Sequence, residues 1–95
     1  MSARLPSRRF PVVTPGFILK YHLVLHRSPG VRLPDVVRAV RQVTRFAEAE
    51  ALARMWDAHL RGRAVVLTTY LERAEFLAER LASSGLNVGL EVADR

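Results

Sequence analysis

Between Tyr21 and Val92 the spacing of apolar residues switches repeatedly between the period of a strand and the period of a helix, and this limits the chain to few folds. YHLVLH, Tyr21–His26, is short, alternating and rich in β-formers, so it predicts a strand that ends at the Ser28-Pro29-Gly30 turn. Val36, Val37, Val40 and Val43 then recur at helical spacing, with Pro34 in the first turn and Arg38, Arg41 and Arg45 on the opposite face. A second helix is expected from about Ala47, with Leu52, Met55, Trp56, His59 and Leu60 on its inner side and Gly62 as a left-handed cap. AVVLTT, Ala64–Thr69, reads as a buried strand. Glu72–Ser84 reads as a third helix with Ala74, Leu77, Ala78 and Leu81 inward and Gly85 as its stop, and LNVGLEV, Leu86–Val92, as a last strand. The order β-α-α-β-α-β predicts an α+β sandwich, a three-stranded antiparallel sheet packed on helices.

The 95 residues leave room for one such unit, 21–93, preceded by a basic, proline-containing extension over 1–20. Pro6, Pro11 and Pro15 interrupt any helix in that extension, so it is expected to be flexible. Charge is unevenly distributed. Residues 1–45 hold nine Lys/Arg against Asp35 alone, which is +8; residues 46–95 hold six Arg against eight acids, which is −2, and the two sum to the net +6. A basic first half attracts phosphate or an acidic protein face, and charge alone does not distinguish them. There is no cysteine, hence no disulfide framework and no thiolate chemistry, in keeping with a cytoplasmic protein. No apolar run reaches membrane-spanning length.

Catalytic patterns are missing. His22 and His26 share a strand face but lie too far apart for one metal, with no third ligand near, so no metal or cofactor is expected. Ser28, Asp57 and His59 do not form a triad, because Asp57 and His59 diverge on a helix and no nucleophile elbow precedes Ser28. The five glycines sit at turns, caps and strand positions and form no phosphate loop. Arg38, Arg41 and Arg45 form a basic helix face, suited to nucleic acid or an acidic protein surface, although no stacking aromatics accompany them.

YHLVL, LPDVVRAVRQV, EALARMWDAHLRGRAVVLTTYLERAEFLAERL and GLEVA together resemble the ClpS family, adaptors of the bacterial Clp protease. Ala51, Met55, His59, Gly62 and Ala64 match the family's helix-to-strand joint, and Glu72, Ala74 and Glu75 match the motif that opens its third helix. The C-terminal domain of the ribosomal stalk protein shares the fold, so function has to be read from the site. The resemblance implies a non-enzymatic adaptor that holds the first residue of a degradation substrate, usually Leu, Phe, Tyr or Trp, in a small apolar pocket with its free α-ammonium gripped at the rim. It also implies docking on the N-domain of an AAA+ unfoldase of the ClpA or ClpC kind. Carried over by position, the pocket is Leu33, Val36, Met55, Ala58 and Leu86, with His59 at its rim and Glu72 facing the unfoldase. Leu77 stands where the family often has a docking lysine.

One stretch departs from the pattern. Where the family has Asn-Asp-Asp, this chain has Arg27, Ser28 and Pro29. An ammonium leaving water needs acceptors, ideally a carboxylate. Two charges at ~4 Å interact by roughly 1 kcal/mol in water and about 4 kcal/mol near a protein surface. Reversing a sign there shifts affinity by about 2 kcal/mol or more, at least tenfold. Two readings stay open: Arg27 turns to solvent while carbonyls and His59 hold the ammonium, or Arg27, Ser28 and His59 accept an anionic or acylated terminus. A third possibility keeps the fold without terminal-residue binding and uses the basic face instead.

Overall fold

The computed structural model describes residues 19–93. The expected flexibility of the N-terminal extension concerns residues that lie outside this range, apart from Leu19 and Lys20. The elements run β1 (Lys20–His26), α1 (Leu33–Thr44), α2 (Glu48–Arg61), β2 (Arg63–Tyr70), α3 (Leu71–Ser83) and β3 (Val88–Val92), the predicted order. The sheet is antiparallel with strand order β2-β1-β3, so the first strand lies in the middle. Helices α2 and α3 lie against the sheet, and α1 packs on both of them.

Leu23, Leu25, Val36, Val40, Ala51, Met55, Val66, Leu77 and Leu81 are buried in one continuous core. Val24 points to the other face of β1, yet it is 0% exposed. Its neighbours explain this. Val65 and Gly89 flank it in the ladders, and Arg63 on β2 reaches Glu91 on β3 at 2.6 Å, an ion pair that crosses the central strand. His22 Nδ1 and Thr68 Oγ1, 2.8 Å apart, add a cross-strand hydrogen bond, and a methyl group on Gly89 would meet the His26 ring at 3.3 Å.

The β1–β2 ladder slips between Leu23↔Leu67 and Val24↔Val65, which leaves Val66 as the extra residue of a β-bulge. A bulge frees a backbone group from the ladder, and here Arg54 Nε of α2 donates to Val66 O at 3.3 Å. The bulge also shifts the strand's phase: Ala64 and Val66 are buried before it, and Leu67 and Thr69 are half-buried after it. The helix corners are tied locally. Thr44 Oγ1 donates to Val40 O at 2.7 Å and accepts from Phe46 N–H at 3.1 Å, turning the chain from α1 into α2. Arg45 caps α1 in the left-handed conformation at φ 67°, a position where glycine is unstrained. Gly62 takes the same role on α2 at φ 94°, as its place in the sequence predicts.

The inner faces of α1 and α3 are those predicted; α2 differs. Its buried residues are Ala51, Met55 and Ala58, whereas Trp56 is 46% and Leu60 69% exposed. The predicted stripe of Leu52, Met55, Trp56, His59 and Leu60 follows the largest apolar side chains. The helix lies close to the sheet through two alanines, and this close approach turns Trp56, His59 and Leu60 outward.

Candidate binding site

The β1–α1 loop, the start of α1 and the last two turns of α2 enclose a cavity of about 390 Å³, at the small end of ligand pockets (roughly 300–1,000 Å³). Its lining includes Val31, Leu33, Val36, Met55 and Ala58 as the apolar part, with Arg27, Ser28, Pro29, Arg32 and His59 as the mouth. Seven of the residues selected from the sequence therefore meet at one place: Leu33, Val36, Met55, Ala58, Arg27, Ser28 and His59. Leu86 does not line the cavity. It is buried in the core, because the turn at Gly85 directs it under the sheet through a bond from Leu86 N–H to Leu81 O. Val31, Pro29 and Arg32 were not selected from the sequence, although their position in the loop between Ser28 and α1 places them at the mouth.

The loop is bonded at both ends. Val31 N–H donates to Ser28 O at 2.9 Å, closing the Ser-Pro-Gly-Val turn. Ser28 Oγ donates to His26 O at 3.0 Å and accepts from Asn87 N–H at 2.9 Å, so the hydroxyl fastens the loop to the entry of β3. Arg27 Nε donates to His59 O at 2.9 Å. This carbonyl belongs to the last turn of α2, where carbonyls lack helical partners and the dipole favours cations. Arg27 is thus neither free in solvent nor directed at the cavity floor; it caps α2 at the mouth. The His59 ring stands edge-on to Trp56 with centroids 6.0 Å apart.

The mouth is positive. No Asp or Glu lines the cavity, and the nearest acids in sequence have partners of their own: Asp35 with Arg38 at 2.6 Å, and Asp57 with Arg61 at 4.0 Å. Glu72 lies elsewhere, exposed in the first turn of α3, and Leu77 is a core residue. Arg38, Arg41 and Arg45 line a separate, more open groove with Pro34, Val37, Gln42, Phe46 and Glu48. Among the described residues no group of His, Cys, Asp and Glu is placed to hold a metal ion, and no helix is long and apolar enough to cross a membrane.

An apolar cavity behind a polar mouth, with the remaining polar groups used in capping and turns, defines a binding module. No family model matches the sequence, but individual relatives do. The ATP-dependent Clp protease adapter protein ClpS of Synechococcus sp. (strain CC9902) is 36% identical over 76 residues, covering 79% of this chain and 73% of that protein. ClpS of Prochlorococcus marinus (strain MIT 9515) is 36% identical over 73 residues, 76% of this chain and 70% of its own length. ClpS of Synechococcus elongatus is 33% identical over 76 residues, 79% and 80% of the two chains. The fold matches the structure of Agrobacterium tumefaciens ClpS2 bound to L-phenylalaninamide with a TM-score of 0.77 and 22% identity, covering 80% of this chain and 99% of that one. The chain belongs to the ClpS family of Clp protease adapters. It is an adaptor that works with the AAA+ Clp machinery in proteolysis, and it is not an enzyme.

Proposed function

We propose that this adaptor holds the terminal residue of a degradation substrate in the cavity between α1 and α2 and presents that substrate to a Clp unfoldase of the ClpA or ClpC kind. The observation that carries this reading is the cavity itself: about 390 Å³, lined by Leu33, Val36, Met55 and Ala58, and entered past Arg27, Ser28 and His59. An apolar side chain fills such a space, and the chain terminus beside it stays in the polar mouth. ClpS2 of Agrobacterium tumefaciens, which shares the fold, has been solved with L-phenylalaninamide, a single residue with an aromatic side chain. Glu72, exposed at the start of α3 and remote from the cavity, is the residue we assign to the unfoldase N-domain.

Fluorescence anisotropy of labelled peptides carrying Phe, Leu, Tyr or Trp at one terminus, against the same peptides with Gly there, tests the cavity. At least tenfold tighter binding of the apolar termini is expected, and equal binding of the Gly peptides overturns the reading. A second reading, favoured by the groove of Arg38, Arg41 and Arg45, has the adaptor fold engage nucleic acid or an acidic protein through that face. Its signature is affinity that falls steeply with salt and ignores peptide ends.

A further inference from the structure

The side chain fits the cavity whichever end of a protein supplies it; the mouth distinguishes the ends. We infer that the mouth accepts a carboxylate, so that the substrates are proteins whose last residue is apolar and whose free C-terminal carboxylate meets Arg27 and Arg32. This inference rests on the terminal-residue reading and names its substrate class.

Three observations support it. First, the mouth offers an ammonium no anionic acceptor. No carboxylate lines it, and several carbonyls around it already accept a bond: His26 O from Ser28 Oγ, Ser28 O from Val31 N–H, Arg32 O from Asp35 and Val36 N–H, Ala58 O from Gly62 N–H, and His59 O from Arg27 Nε. The Ser28 hydroxyl oxygen already accepts from Asn87 N–H. What remains for it is uncharged: a further carbonyl lone pair or a ring nitrogen of His59. Second, donors are in surplus. Arg27 uses only Nε on His59 O, which fixes the guanidinium plane and leaves its Nη hydrogens without an acceptor among the described residues. Two parallel Nη–H bonds are the geometry in which a guanidinium grips a carboxylate. Arg32 lines the same mouth, exposed and with no acid partner among the described residues. Third, α1 begins at the cavity with Arg32 as its N-cap and no side-chain cap, so the positive end of its dipole adds to the same field. An acylated N-terminus would escape the repulsion, but its neutral carbonyl has neither the charge nor the second oxygen that a bidentate guanidinium contact uses.

The test uses the full chain and one internally labelled peptide sequence prepared with Phe at one end in four forms: free N-terminal amine, acetylated N-terminus, C-terminal acid and C-terminal amide. A Gly-ended set serves as control. The acid form is expected to bind about tenfold or more tighter than its amide, with the free amine weakest. Arg27→Gln keeps an N–H for His59 O but removes the charge, and Arg32→Gln leaves the loop bonds untouched. Each is expected to reduce the acid-over-amide ratio while the melting temperature stays near that of the parent. Equal binding of acid and amide overturns the inference. Binding that favours the free amine also overturns it but leaves the terminal-residue reading standing. Failure of all four forms to exceed the Gly controls removes both.

Discussion

The floor and the mouth line one cavity and are built on different principles. Val36, Met55 and Ala58 belong to the continuous core, so any change to the floor is also a change to the stability of the fold. Arg27, Ser28 and Pro29 stand on a loop closed by its own hydrogen bonds. Its side chains are tied to α2 and β3 but lie outside the core, so exchanging them is expected to cost less than a change to the floor. An adaptor built this way keeps its apolar cavity under the constraint of folding, while the loop that the proposed reading sets beside the terminus is free to change sign. The Asn-Asp-Asp of the family and the Arg-Ser-Pro of this chain occupy the freer of the two regions.

That contrast predicts a graded series of effects on stability. Met55→Ala should have the largest, because it removes a buried side chain shared by core and floor: about 2–5 kcal/mol, read as a fall in melting temperature of roughly 4–8 °C per kcal/mol for a domain of this size. A loss below about 1 kcal/mol would mean that the floor is not part of the core. Ser28→Ala comes next. It removes the bond from Asn87 N–H and releases the loop from β3, for about 0.5–1.5 kcal/mol in urea denaturation. Arg27→Met should be the mildest, since the aliphatic stem stays and one exposed bond at a helix end is lost, about 0.5–1 kcal/mol. If Arg27→Met proves as costly as Met55→Ala, the guanidinium is a structural bolt and the contrast between floor and mouth collapses.

Much of the fold was legible because local pattern and tertiary demand agree in it. The valines of α1, the Ala74/Leu77/Leu81 face of α3 and the Gly62 cap follow their spacing. The strand runs follow it less: AVVLTT reads as buried, yet Val65 is 36% exposed, and Val92 at the end of β3 is 52% exposed. Helix α2 was less legible. Hydrophobic size points to Trp56 and Leu60, whereas the separation of helix and sheet selects Ala51 and Ala58, and that separation is not written in any local window. Most of the cavity lining followed from the family pattern, with Leu86 the exception, because a buried residue after a tight turn can face the core as easily as a pocket. The tie between Arg27 and His59 O, like the Val66 bulge that Arg54 satisfies, joins residues far apart in sequence through a backbone carbonyl. Side-chain identity carries no trace of such a partner.

The position of β1 in the sheet also bears on how the molecule is made. A ribosome delivers the central strand first, with Leu23, Val24 and Leu25 at its heart, but one ladder waits for β2 beyond two helices and the other for β3 at the far end of the unit. Neither hairpin is local, so both ladders close late and across long loops, which slows assembly. Until then, the strand that ends up most deeply buried presents two unpaired edges. Nascent chains stalled before Val88 are therefore expected to depend on chaperones, and an adaptor that serves proteolysis has to evade it during its own synthesis.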